Sequence, residues 1–229
     1  MRYRIALFDA DNTLMDFSRS EREALSDCLR ARGLPSDDSV IARYSAINDN
    51  EWKRLERGET TRDRLRVDRF LFFAREFGFD LDPVRMADDY MEALSEKAYL
   101  MDGAEDLVKT VSGHCRLFII TNGLGYVQNK RFNASPLARY FEGVFISENV
   151  GCAKPERAFF DHVAANIPSF DPRDTLVIGD SLSSDIKGGI NAGIDTCWYA
   201  PHGRSAPPDL AITYTVRHLM DIAPIILGD

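Results

Sequence analysis

Cysteine and histidine are scarce, with four of each in 229 residues. Cys28, Cys115, Cys152 and Cys197 lie far apart and form no CxxC pair, so reduced structural thiols are expected rather than a disulfide framework. His114, His162, His202 and His218 show no compact Cys/His spacing, which gives no reason to expect zinc. No apolar run approaches the roughly 18 residues of a membrane helix. Met1-Arg2-Tyr3-Arg4 leads straight into a short apolar segment, unlike a cleavable signal, so a cytoplasmic protein is expected. Positive charge is in deficit, 28 Lys+Arg against 36 Asp+Glu for a net charge of −8. That balance disfavours nucleic acid and anionic membranes as partners, while leaving room for a small anionic substrate at a locally positive site. Neither a GxxxxGK phosphate loop nor a GxGxxG dinucleotide turn occurs. The EF-hand pattern also fails, since Leu14 and Ser20 stand where that loop needs Gly and Glu.

What remains is globular, with 45% hydrophobic and 28% charged residues. Five short apolar segments, Ile5–Phe8, Leu117–Ile120, Val144–Ile146, Thr175–Ile178 and Thr196–Tyr199, are predicted as buried parallel strands. Helix-length stretches between them supply crossovers, so the predicted fold is α/β with a Rossmann-like parallel sheet. The first connection is too long for a simple crossover. It holds four amphipathic stretches, Arg19–Arg32, Asp38–Arg57, Thr61–Phe77 and Pro83–Tyr99, and is predicted as an inserted helical cap. The domains are therefore expected at 1–16 with 101–229 for the core and at 17–100 for the cap.

Within the cap, Phe70, Phe73 and Phe77 fit a core stripe better than a wall over a substrate. Trp52 suits packing, with substrate stacking as its alternative. The alternating run Arg62–Arg69 reads as a solvated helix face. Near the C-terminus, Pro201–Pro208 reads as a loop, followed by a weak helix from about Val216.

Chemistry concentrates at the predicted strand ends. Asp9 and Asp11 in Phe8-Asp9-Ala10-Asp11-Asn12-Thr13-Leu14 are two apart, so in extended chain they share a side. They can gather a divalent cation, or Asp9 can attack phosphorus while Asp11 handles a proton. Thr121-Asn122-Gly123 offers a hydroxyl and backbone N–H groups to phosphate oxygens. Lys154-Pro155 adds a cation. Gly179-Asp180-Ser181-Leu182-Ser183-Ser184-Asp185 adds two more carboxylates, one to ligate Mg²⁺ and one to hold Lys154 or ordered water. Each string is weak alone; together they would converge at the carboxyl edge of a parallel sheet. The glycines of Asp185-Ile186-Lys187-Gly188-Gly189-Ile190-Asn191-Ala192-Gly193 suit close helix packing.

In that order the strings resemble the haloacid dehalogenase-like hydrolase superfamily over nearly the whole chain. The fuller strings, including Ser147-Glu148-Asn149-Val150-Gly151-Cys152-Ala153-Lys154-Pro155, most closely resemble its pyrimidine 5′-nucleotidase branch, which acts on standard and non-standard nucleoside monophosphates. The resemblance implies a Mg²⁺-dependent phosphomonoesterase. In it Asp9 is the nucleophile, Asp11 the acid and base, Thr121 and Asn122 phosphate ligands with Lys154, and Asp180 a metal ligand beside Asp9 and the Asp11 carbonyl. Asp185 would support Lys154 or the metal's water. Asp11 favours a phosphatase over a dehalogenase. The enzymatic alternatives are a sugar-phosphate phosphatase or phosphomutase, and the other class is a non-enzymatic interaction protein. The implied partner is a small phosphorylated metabolite, taken by a monomer or small homo-oligomer.

Overall fold

The computed structural model describes residues 2–203 and 205–228. Arg204, inside the predicted Pro201–Pro208 loop, lies outside the described residues, as do Met1 and Asp229 at the ends of the predicted core. The strands are β1 Ile5–Phe8, β2 Arg116–Thr121, β3 Gly143–Ile146, β4 Thr175–Gly179, β5 Asp195–Tyr199 and β6 Tyr214–Val216. The helices are α1 Phe17–Arg30, α2 Asp38–Glu56, α3 Arg62–Phe77, α4 Pro83–Ser95, α5 Ala104–Ser112, α6 Gly125–Ala134, α7 Ser147–Val150, α8 Arg157–Asn166, α9 Lys187–Ala192 and α10 Ile222–Leu227. The chain divides into two compact units, Met1–Phe17 with Ala98–Asp229, and Ser18–Lys97.

The first unit is built on a parallel sheet of order β3-β2-β1-β4-β5-β6. β1, β2, β4 and β5 are buried on both faces, which is why they read as nearly continuous apolar runs, whereas the edge strands β3 and β6 are partly exposed. Side chains alternate between two clusters. Ala6, Phe8, Leu117, Ile119, Leu176 and Ile178 join Leu107 and Val108 of α5 and Ile226 of α10, whereas Ile5, Leu7, Phe118, Ile120 and Val177 join Phe159, Phe160 and Val163 of α8. Gly188 and Gly189 sit where a Cβ would lie 2.5 Å from Phe160 and from Thr196 respectively, so the missing side chains let α9 pack closely.

Two expectations, about the last strand and about the end of α4, need correction. A sixth strand, β6, pairs with β5 where a helix from about Val216 was expected, and the helix begins only at Ile222. Three residues are too short a run to carry a periodic signal, and the main chain of Ala200 instead bonds to Val216. The Pro83–Tyr99 helix stops at Ser95 because the following backbone is used elsewhere. Asp16 N donates to Tyr99 O at 3.0 Å, Met101 N to Leu14 O at 3.0 Å, and Met15 bridges Leu100.

The second unit is helical. Asp37 and Asp82 accept from the first N–H groups of α2 and α4, Pro83 opens α4, and Gly78 at φ 66° closes α3. The two aspartates satisfy terminal donors that the helices cannot pair internally, and the Gly78 N–H meets the Ala74 carbonyl at the other end of α3. Phe70 and Phe73 are fully buried against Tyr44, and Phe77 packs on Phe73 and Phe79, so the stripe is core. The Arg62–Arg69 run is not wholly solvated. Arg69 is buried over the Phe70 and Tyr90 rings and donates to Asn48 Oδ1 at 3.0 Å, because it shares the face of buried Leu65 four residues earlier.

Asn48 and Ser45 also donate to Glu21, at 2.8 and 2.5 Å. Burial pushes the Glu21 carboxyl from 4.5 up to about 7, against the pull of those hydrogen bonds. A folded-state value above the unfolded one means that the protonated form favours folding. This contribution is full below about pH 4.5 and is lost as the pH rises through about 7, a swing of about 3 kcal/mol. Glu21→Gln is expected to remove it. The stability difference between wild type and variant, from urea denaturation at pH 5 and pH 8, should shift by most of that amount, about 2.5 kcal/mol, in favour of the variant. Parallel curves would show that the carboxyl ionises there without cost.

All four cysteines are free thiols. Among the described residues, no helix is long and apolar enough to cross a membrane.

Candidate active site

The strand order places β2 on one side of β1 and β4 on the other, so connections leave the carboxyl edge in opposite directions, as at ligand crevices in open α/β sheets. Asp9 and Asp180 directly follow β1 and β4, and Thr121 ends β2. After Asp9 the chain turns through Asn12 at φ 60°, a left-handed conformation that asparagine tolerates. The turn brings back Thr13, whose hydroxyl donates to Asp9 Oδ2 at 3.1 Å.

Lys154 is buried at the centre of this edge, 2% exposed. Its ammonium donates to Asp9 Oδ1 at 2.7 Å, Asp185 Oδ1 at 2.6 Å and the Ile120 carbonyl at 2.8 Å. Three N–H groups thus meet three acceptors. The main chain around it is fixed by Asn122, whose amide donates to Lys154 O at 2.8 Å and accepts from Lys154 N at 3.0 Å. Asp185 Oδ2 accepts from Ser181 N at 3.1 Å, which orients the carboxylate whose other oxygen meets Lys154. Asp180 is held by its backbone, whose carbonyl accepts from Trp198 Nε1 at 2.9 Å.

Asp9, Asp180 and Asp185 bring one carboxylate oxygen each within 4.8 Å of one another. Three carboxylates against one ammonium leave an excess negative charge. Burial and the neighbouring Asp185, Asp180 and Asp11 carboxylates raise Asp9 well above the usual carboxylate range, and Lys154 offsets this only in part. The carboxylates around Lys154 more than overcome its own desolvation and hold its ammonium well above the ordinary lysine value. An all-oxygen donor set with surplus negative charge fits a hard divalent cation such as Mg²⁺, and it offers none of the sulfur or imidazole donors that would favour zinc.

The Asp11 side chain is held apart from this cluster. Its Oδ1 accepts from Arg131 at 2.5 Å and its Oδ2 from Gln128 at 2.9 Å, both residues of α6. Gln128, Arg131 and the Thr13 hydroxyl were not among the predicted site residues. The available signal was a glutamine and an arginine three apart on the helix after Thr121-Asn122-Gly123, which therefore share a face. Trp52 lies on α2 in the helical unit, half-buried.

A family model described as haloacid dehalogenase-like hydrolase matches residues 3–193. The chain belongs to the haloacid dehalogenase-like hydrolase family. This family member is 38% identical over 225 residues to the HAD-hydrolase YfnB of Bacillus subtilis, with 98% of this chain and 96% of YfnB covered. It is 35% identical to the pyrimidine 5′-nucleotidase PynA of Streptococcus pneumoniae, covering 97% and 94% of the two chains. To the pyrimidine 5′-nucleotidase YjjG of Escherichia coli it is 31% identical, covering 99% of each. The crystal structure of YfnB bound to magnesium matches this haloacid dehalogenase-like hydrolase with a TM-score of 0.93, over 99% of both chains.

Proposed function

We propose that this hydrolase is a Mg²⁺-dependent phosphomonoesterase of nucleoside 5′-monophosphates, pyrimidine nucleotides above all and non-standard ones among them. The observation that carries the chemistry is the buried Asp9 paired to Lys154, with a second carboxylate, Asp11, two residues on and separately held. The substrate class rests on likeness to PynA and YjjG along almost the whole chain.

In this reading an Asp9 oxygen attacks phosphorus and the bond to the 5′-oxygen breaks, leaving an aspartyl-phosphate. Asp11 gives its proton to the departing alkoxide and then takes one from the water that cleaves the acyl-phosphate, releasing phosphate and restoring Asp9. Thr121 donates to a phosphate oxygen. Asn122 uses its amide oxygen and one amide hydrogen on the Lys154 main chain, so it would meet phosphate through its main-chain N–H or its second amide hydrogen. Lys154, its three N–H groups engaged, supplies positive charge beside the reacting centre and orients Asp9. Asp9 and Asp180 would hold Mg²⁺ together with the Asp11 carbonyl, and Asp185 keeps Lys154 in place. When bound, the ion supplies charge compensation for the phosphoryl oxygens. The helical unit is the proposed specificity cap, with Trp52 as its candidate stacking residue.

Phosphate release with Mg²⁺ tests the substrate class across UMP, dUMP, TMP, modified pyrimidine monophosphates, purine monophosphates and sugar phosphates. The pyrimidine monophosphates should show the highest kcat/KM, and added chelator should abolish turnover. Selectivity for sugar phosphates would sink the nucleotide assignment, and interconversion of phosphate isomers would make the enzyme a mutase.

A further inference from the structure

Gln128 and Arg131 take no part in the steps above, yet both are buried on α6, 3% and 0% exposed. Burying an amide and a guanidinium is costly unless their polar atoms find partners. The partners here are specific. Arg131 donates to Asp11 Oδ1 at 2.5 Å and to Gln128 Oε1 at 3.3 Å. Gln128 Nε2 donates to Asp11 Oδ2 at 2.9 Å and to Thr121 Oγ1 at 2.7 Å. An amide nitrogen carries two hydrogens, so both are used. The opposite amide orientation would set its carbonyl against the Asp11 carboxylate and its NH₂ against the guanidinium, so the charges on either side choose this one.

The consequence for Thr121 follows from counting. Its hydroxyl oxygen accepts from Gln128 Nε2 and also from Gly123 N at 3.1 Å. A hydroxyl has two lone pairs and one hydrogen. Both lone pairs are taken, so Thr121 is set as a donor, the polarity an anionic oxygen needs. Gly123 makes room for this arrangement: a Cβ there would lie 2.7 Å from the Gln128 amide.

We propose that Gln128 and Arg131 are positioning residues that couple the two ends of the reaction, holding both Asp11 oxygens while turning the Thr121 hydroxyl towards phosphate. This rests on the reading of Asp11 as the acid for the departing alkoxide. The test compares kcat/KM, which runs only through the first irreversible step, for p-nitrophenyl phosphate against two alkyl esters, UMP and glycerol 2-phosphate. The nitrophenolate leaves without protonation and the alkoxides do not.

Gln128→Met and Arg131→Met are expected to lower kcat/KM for the alkyl esters about 100-fold. For p-nitrophenyl phosphate the expected loss is under about tenfold, that of a displaced phosphate ligand alone, and Arg131→Lys should recover part of the alkyl-ester rate. An equal loss on aryl and alkyl esters, or no loss, would overturn the proposal. Asp11→Asn is the control that separates the two readings. If it discriminates between leaving groups and the α6 variants do not, positioning fails alone; if it does not discriminate, the acid assignment fails and the proposal falls with it. Glycerol 2-phosphate keeps the comparison independent of the nucleotide assignment.

Discussion

Asp9→Asn is expected to stop turnover, by at least about 10⁴-fold, in a protein at least as stable as the wild type when chelator is present. The two effects have one cause. Burial and neighbouring carboxylates make the ionised Asp9 unfavourable in the fold, and ionised Asp9 is what attacks phosphorus in the proposed mechanism. A neutral amide removes the like-charge repulsion, and its oxygen can still accept from Lys154 while its NH₂ meets the Thr13 hydroxyl. Site strain that serves chemistry is relieved by the substitution that ends the chemistry. Mg²⁺ should then raise the melting temperature of the wild type more than that of the variant, because a ligand stabilises the state that binds it. Thermal denaturation with chelator and with Mg²⁺, beside phosphate release, checks all three expectations. A folded Asp9→Asn protein with near-normal turnover would remove Asp9 as nucleophile.

Lys154→Met is expected to fail on both counts. Without the ammonium, Asp9 and Asp185 face each other at 7% and 0% exposure with no cation between them. Breaking a buried ion pair from one side costs about 3–5 kcal/mol, far more than the pair's net contribution, because the stranded charges remain. Activity should fall by about 10³-fold or more as compensation for the phosphoryl charge is lost. Urea denaturation at pH 7 measures the first effect and kcat/KM the second. Adding Asp185→Asn to Lys154→Met should restore much of the stability and none of the activity. A single variant within about 1 kcal/mol of wild type would mean that Lys154 is not the anchor of these carboxylates.

The parts of this site that can be read from sequence are those whose cause is local. β1, β2 and β4 are short apolar runs because both sheet faces are covered, and the polar residue that ends or follows each run stands out against it. Asp9, Thr121 and Asp180 are visible for that reason. Gln128 and Arg131 are not, since on a helix they look like ordinary solvent-facing residues, and their partner Asp11 is 117 and 120 positions away. Arg69 misleads in the same way, because only the packing of α2, α3 and α4 puts aromatic rings around its guanidinium. β6 and the end of α4 are set by main-chain pairing with distant segments, which side-chain pattern does not encode.

The backbone bridge that joins Leu14–Asp16 to Tyr99–Met101 has a consequence for the history of such a chain. The two points where the helical unit leaves and rejoins the sheet are laced to each other within the sheet unit itself. What lies between them can lengthen, shorten or be exchanged whole without altering the register of β1 against β2 and β4. With the helical unit as the proposed specificity cap, reaction and selectivity could then diverge at different rates, one held by the strand ends and the other rewritten between two fixed posts.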